Sequence, residues 1–305
     1  MVFSSAMGQF VDQHPELRTV VDFCDVDSAK WRQYAVSQNW PSSALYRRES
    51  VRLLDFERAL ARSAAASVFA TQAEAEMFTD LAPESASRVH VVENGVDSSY
   101  FSPDAGRPTP YAADEMPIVF TGAMNYWPNV DAVCWFASEI LPRIVERQPR
   151  ARFYVVGMNP SSSVASLARD PHVVITGRVP DVRPYVQYAR LVVAPLRVAR
   201  GIQNKVLEAM AMARPVLASA AAAEGLSGRA GVEFETAEQA NEFVSKAVEL
   251  IESGRTDVMG QRARERIVAE RDWSRNLAAF EALLAPRFEV RRVQRTADSR
   301  VEHAR

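Results

Sequence analysis

The run Thr19-Val20-Val21-Asp22-Phe23 is apolar and β-branched, and it breaks into the acidic turn Cys24-Asp25-Val26-Asp27-Ser28. That is the pattern of a buried parallel strand ending at its carboxyl edge. A helix is predicted from about Ser28 through Trp31 and Tyr34. A longer one is predicted over 42–62, where Leu45, Val51, Leu54 and Leu60 recur among Arg and Glu as on an amphipathic surface helix. A second strand follows at 66–70. Thr71 then caps a short helix with Glu74 as its reciprocal partner, and a third strand, 88–93, closes on Asn94-Gly95-Val96-Asp97. Residues 98–117 hold Pro103, Pro108, Pro110, Pro117 and Gly106 with little periodicity and read as a linker.

Beyond the linker the alternation becomes regular. Strands at 118–121, 152–156, 173–176, 191–194 and 215–219 are separated by helices at 130–148, 164–168, 182–189 and 203–213. Parallel neighbours need crossovers, so this order predicts a doubly wound parallel sheet, a Rossmann-like α/β domain. Ligands of such sheets bind beyond the carboxyl ends of the strands, at the loops after Thr121, Val156, Thr176 and Ala194. Three of these loops open with Gly122, Gly157 and Gly177. The predicted layout is a partial N-terminal Rossmann-like domain at 1–97, a linker at 98–117 and a C-terminal domain with terminal helices at 118–285. The Arg-rich, apolar-poor segment 286–305 is predicted to be a disordered tail.

Composition narrows the function more than the fold. A chain of 305 residues exceeds one ordinary core and suits two lobes around a cleft. A net charge of -2 makes no demand for nucleic acid. Cys24 and Cys134 stand far apart, and His14, His90, His172 and His303 form no spaced cluster, so neither a disulfide framework nor a metal site is expected. The apolar stretches fall short of the ~20 residues of a membrane helix. With no signal peptide evident after Met1, the chain reads as cytoplasmic.

The segment from Pro195 to Val216 carries the chemistry. A strand ends at Pro195, a polar loop follows, and a helix starts near Ile202 or Gln203. First-turn amides of such a helix lack intrahelical acceptors and face the ligand edge, where they and the macrodipole can hold a phosphate. Gly201 lets backbone come close. Asn204 or Lys205 shares a face with Glu208, while Val206, Leu207 and Met210 supply the core-facing stripe. By itself a Lys–Glu pair at helical spacing is most often an ordinary solvated pair; the surrounding sequence reverses those odds.

The stretch RGIQNKVLEAMAMARPVLAS resembles the signature of retaining family-4 glycosyltransferases of the GT-B fold, which have two Rossmann-like domains facing a cleft. NGVD before Phe101, FTGAMNYWPNVDAVCWF, FYVVG, ITGRVPDVRPYVQYA and RDWSRNLAAFEALL agree with it in the same order. SSAM near the start, DVDSAKWRQYA and ARGIQNKVLEAMAM resemble most closely the glycosyltransferases of bacterial PEP-CTERM/exosortase exopolysaccharide loci. The resemblance implies a nucleotide-sugar as donor substrate, a glycan or lipid-linked acceptor, peripheral contact with the inner membrane, and neither cofactor nor metal. It places the ribose on Glu208. The sheet edge and the helix start set the donor against Gly122, Gly201, Ile202, Gln203 and Asn204, and charge balance against a diphosphate points to Lys205 and Arg200 as catalytic cations, with Arg178 beside the donor. At the N-terminal strand end the resemblance implies an acidic group beside the sugar, Asp25 or Asp27; for Asp27 or Ser28, capping of the next helix is the more ordinary role.

Departures are equally specific. The family's first Glu of this signature falls at Arg200, and its two usual phosphate cations fall at Ala123 and Asn129, which leaves Arg178, Arg200 and Lys205 to balance a diphosphate. Tyr126 and Trp127 either wall the cleft or cover core. The resemblance also implies roughly a hundred further upstream residues, judged from ordinary domain size. An alternative expectation, drawn from Arg200 and the short N-terminal lobe, is a non-catalytic nucleotide-sugar or partner-binding remnant.

Overall fold

The computed structural model describes residues 1–285 apart from 12–13, 15, 38, 200, 227 and 254–255. The predicted tail at 286–305 and Arg200 therefore lie outside the described residues. Two all-parallel sheets organise the rest. The first runs in the order β1 (Val2–Phe3), β2 (Val20–Cys24), β3 (Ala66–Phe69), β4 (Val89–Val91). Its crossovers are α1 (Asp27–Ser37), α2 (Ser42–Ser63) and α3 (Gln72–Leu81). The two-residue strand β1 was not anticipated, because two residues carry no detectable period. On one face of this sheet Phe23, Phe69 and Phe78 stack with centroids 4.8–5.4 Å apart and form a small core with Val21, Val26 and Leu60.

The second sheet consists of β5 (Met116–Thr121), β6 (Ala151–Val156), β7 (Val173–Gly177), β8 (Leu191–Ala194), β9 (Val216–Ala218) and β10 (Glu235–Thr236). Their order is β10-β9-β8-β5-β6-β7, so the order reverses direction at β5/β8, the position where doubly wound sheets open a crevice. The predicted helix 130–148 is α4 (Trp127–Trp135), a π-turn at Phe136–Ile140 and α5 (Leu141–Val145). Pro142 has no N–H for the carbonyl four residues back, which accounts for the widened turn ahead of it. The remaining helices are α6 (Ser162–Ser166), α7 (Arg183–Gln187), α8 (Asn204–Ala211), α9 (Ala220–Ala223), α10 (Ala240–Glu252), α11 (Thr256–Glu270) and α12 (Trp273–Leu284). A continuous core of Phe120, Phe136, Phe153, Leu207, Met210 and Phe243 lies within this lobe.

Two segments behave differently from their sequence reading. Residues 98–117 pack rather than span: Tyr111 is buried with its hydroxyl donating to the Tyr185 carbonyl at 2.6 Å, and Gln187 Nε2 donates to the Asp104 carbonyl at 2.7 Å. The last helix, α12, leaves the second lobe, and Phe280 packs with Val20, Ala66, Val68 and Val92 on the other face of the first sheet. The crossing is stitched by Val96 N donating to the Arg271 carbonyl (2.8 Å) and Trp273 N donating to the Val96 carbonyl (3.2 Å). Among the described residues no helix is long and apolar enough to cross a membrane.

Candidate functional site

Gly122 and Gly157 end adjacent strands and touch backbone to backbone. A Cβ on Gly157 would lie 1.7 Å from the Gly122 carbonyl oxygen, and Gly122 holds φ +153 with its would-be Cβ 2.7 Å from Asn129 Nδ2. Neither site admits a side chain. Above these loops opens a cleft of about 590 Å³, within the ~300–1,000 Å³ usual for small-molecule sites. Arg178 and Val179 from the loop after β7 form one wall, and Ile202, Gln203, Asn204, Lys205 and Glu208 the other. Seven residues singled out from sequence, Gly122, Arg178, Ile202, Gln203, Asn204, Lys205 and Glu208, thus line one cleft.

Helix α8 begins at Asn204 and its N-cap residue Gln203 makes no side-chain cap bond; instead Gln203 Nε2 donates to the Gly201 carbonyl at 3.3 Å. Val206, Leu207, Ala209 and Met210 are buried and fix the helix on the sheet. This orientation turns Lys205 and Glu208 toward the cleft. Lys205 Nζ donates to Asn129 Oδ1 at 2.8 Å and lies 4.9 Å from the Phe120 ring centroid. Asn129 Nδ2 in turn donates to the Ala123 carbonyl at 3.0 Å. The two positions where the family's usual cations are replaced, 123 and 129, therefore form the hydrogen-bonded seat of Lys205, one of the three cations that remain.

Burial holds the Lys205 ammonium down to about 8, against an opposing pull from Glu208. Burial likewise raises Glu208, with Lys205 offsetting part of the effect. A partly desolvated cation and carboxylate on one face are poised to gain from a ligand that brings opposite charge to one and hydroxyl donors to the other.

Asp25 comes from the other lobe. β2 ends in a register shift between Asp22 and Cys24, and Cys24 adopts φ +63. This turn brings Asp25 Oδ1 to 2.8 Å from where a Cβ of Gly201 would stand. Asp25, Tyr34, Tyr126, Asn129 and Gln203 line a narrow pocket between the lobes, joined to the larger cleft through Gln203. Tyr126 is its wall, and Trp127 meets Tyr34 edge-to-face across the gap at 6.4 Å. Burial and the neighbouring Asp22 push the Cys24 thiol up to about 12, which leaves it without thiolate character.

The capping expected of Asp27 or Ser28 is done by other residues. Val26 N donates to Glu74 Oε2 (2.7 Å) and Ser28 N to Glu57 Oε1 (3.1 Å), so acids from α2 and α3 close the start of α1. Asp27 instead accepts from Ser5 Oγ at 2.9 Å and from Lys30 at 3.4 Å. Thr71 caps α3 as predicted, accepting from Glu74 N at 3.1 Å, while the Glu74 carboxylate reaches Val26. Sequence reasoning missed Lys30, whose Nζ sits 2.6 Å from Asp25 Oδ2. Its spacing of three from Asp27 was the available signal. No group of His, Cys, Asp and Glu able to hold a metal occurs among the described residues.

The two facing parallel α/β lobes define the GT-B architecture, and solved structures share it. Anabaena HepE in complex with UDP and glucose matches with a TM-score of 0.72 at 15% identity over 92% of this chain and 75% of that one. Sucrose-phosphate synthase from Thermosynechococcus elongatus matches at 0.70 and 17% over 92% and 71%. WaaG, a glycosyltransferase involved in lipopolysaccharide biosynthesis, matches at 0.69 and 15% over 91% and 80%. At such identities the likeness concerns the fold. A comparison with curated proteins gives no match. Residues 116–253, the lobe that holds the cleft, match the family of glycosyl transferases group 1. Sugar transfer is the activity that this family match supports for the lobe.

Proposed function

We propose that the protein is a retaining family-4 enzyme moving a sugar from a nucleotide-sugar to a glycan or lipid-linked acceptor. We place it in bacterial exopolysaccharide assembly, in the cytoplasm with peripheral contact to the inner membrane. The donor is UDP-linked in this reading, as it is in the HepE complex with UDP-glucose. The observation that carries the reading is the single cleft that collects Gly122, Arg178, the start of α8, Lys205 and Glu208. The assignment to exopolysaccharide loci draws on the DVDSAKWRQYA and ARGIQNKVLEAMAM resemblance.

The chemistry follows from charge. As the bond from the sugar to the diphosphate breaks, negative charge accumulates on the leaving phosphate oxygens. The amides at the start of α8 and Lys205 meet that charge, with Arg178 and Arg200 as further cations. In a retaining transfer the departing phosphate oxygen accepts the proton of the incoming hydroxyl on the same face, so the enzyme needs no basic side chain for that step. Glu208 accepts hydrogen bonds from the ribose hydroxyls, and Asp25 faces the sugar end from the opposite lobe. No metal or cofactor takes part in this scheme.

Thermal-shift and calorimetric titration with UDP-, GDP- and ADP-sugars tests it. UDP-sugar is expected to stabilise the wild type most. Glu208→Ala is expected to weaken that binding roughly ten- to a hundredfold, the ~1.5–3 kcal/mol of hydrogen bonds to a charged group. An unchanged affinity in Glu208→Ala would remove the ribose from this face of α8.

A further inference from the structure

Lys30 sits where helix physics disfavours a cation. It lies in the first turn of α1, at the positive end of the macrodipole. Nor is it a freely solvated surface lysine, since its side chain keeps 26% exposure and that of Asp25 20%. Its Nζ is 2.6 Å from Asp25 Oδ2 and 3.4 Å from Asp27 Oδ1, and Asp27 is itself held by Ser5 Oγ at 2.9 Å. Burial works against the ammonium, yet the charges and hydrogen bonds of Asp25 and Asp27 raise its pKa above the ordinary lysine value. The placement is disfavoured by the helix end and is maintained by two carboxylates, one of which, Asp25, lines the pocket between the lobes.

That carboxylate is aimed with care. Cys24, a non-glycine residue at φ +63, adopts a disfavoured left-handed conformation and is held there by its own N–H donating to Asp22 Oδ1 at 3.0 Å. Asp25 N donates to the Phe23 carbonyl at 2.8 Å, which tightens the turn. Asp25 therefore enters the pocket between the lobes with Oδ2 on Lys30 and Oδ1 toward Gly201. Both Lys30 and Asp25 line that pocket together with Tyr34, Tyr126 and Gln203.

We infer that Lys30 is a positioning residue for the transfer: it fixes Oδ2 of Asp25 so that Oδ1 is presented beside Gly201, in the loop that leads through Gln203 to the larger cleft, to a hydroxyl of the donor sugar. The inference rests on the role given to Asp25 above. Asp25 and Asp27 against Lys30 leave this side of the site net negative, which favours an uncharged, hydroxyl-rich sugar beside Asp25 and disfavours an acidic one. Lys30 acts through Asp25 and not on the diphosphate.

The test is a double-mutant cycle in steady-state transfer from UDP-sugar, with UDP binding measured on every variant. Lys30→Met is expected to lower kcat roughly ten- to a hundredfold, the range a mispositioned reacting group produces, with donor KM and UDP affinity within about twofold. Lys30→Arg is expected to recover most of that loss. In an Asp25→Asn background, Lys30→Met is expected to change kcat by less than about twofold, because the group it positions is already gone. A full additive loss in that background, or a raised donor KM with kcat intact, would overturn the inference. So would unchanged turnover in Lys30→Met with UDP binding intact, an outcome that leaves the proposed function standing. Wild-type protein that neither binds UDP nor turns over donor would sink both, and wild-type turnover in Asp25→Asn would remove the role of Asp25 and with it that of Lys30. Lys30→Gln carries the same comparison if the Met variant does not fold.

Discussion

Helices α1 and α8 occupy matching places in the two lobes, each starting where a parallel strand reaches the gap. Their N-termini are treated in opposite ways. At α1 the backbone N–H groups of Val26 and Ser28 donate to the buried carboxylates of Glu74 and Glu57. At α8 the N-cap Gln203 makes no side-chain cap bond. The same helix-end physics thus yields a closed structural joint in one lobe and an N-terminus without a side-chain cap in the other. A helix N-terminus becomes a candidate phosphate site only where its neighbours leave its amides uncapped. In this chain buried acids from α2 and α3 decide the matter at α1.

Several substitutions probe that contrast. The largest effect is expected from Lys205→Met, which removes the cation beside the open helix end. Transfer measured as kcat/KM should fall roughly a hundred- to a thousandfold, as for loss of one preorganised electrostatic contact to developing charge. A drop under tenfold would mean that the helix amides suffice without it. At the closed end, Glu57→Ala leaves the Ser28 N–H and hydroxyl without their acceptor. It should cost about 1–3 kcal/mol in denaturant unfolding while leaving UDP affinity unchanged. Altered UDP affinity there would mean that α1 also contributes to the donor site.

The pH dependences of the two ends differ in kind. Burial pushes Glu57 up to about 7 from 4.5, against the Ser28 hydrogen bonds. Between those values the folded chain binds more protons than the unfolded one, so this group's contribution to stability declines as pH rises from about 4.5 to 7. Glu57→Gln should flatten that part of the stability profile, and an unchanged slope would place the titration elsewhere. Lys205 titrates near 8 and must be protonated to meet a diphosphate, so UDP affinity should fall as pH rises above about 8. Lys205→Arg should hold its affinity over the same range, the smallest change of the set. An identical pH profile in that variant would assign the dependence to another group.

Much of the second lobe could be read in advance because its elements are local. The strand at Leu191–Ala194 lies where its apolar run predicts, and α8 starts one residue from the expected position. The positions of Gly122, Arg178, Lys205 and Glu208 on one cleft follow from strand ends and helical spacing. What escaped reading was long-range or too short to carry a period: β1, β10, the packing of 98–117 on α7, and the passage of α12 onto the first sheet. Lys30 escaped for a different reason. Its partner Asp25 lies five residues back in a turn, and only the left-handed Cys24 brings the two side chains together.

The sequence by itself determined the alternation of strands and helices, the loops at which a ligand must sit, and the residue types available there. These depend on periodicity and on conformations that glycine alone allows, both encoded within a few residues. Tertiary structure decided which of those residues face one another: Asn129 seating Lys205, Asp25 reaching Gly201 across the lobes, and Glu57 and Glu74 closing α1. Such pairings are set by how packed layers bring distant segments together, and a hydrogen bond between α1 and α2 leaves no trace in the spacing of either.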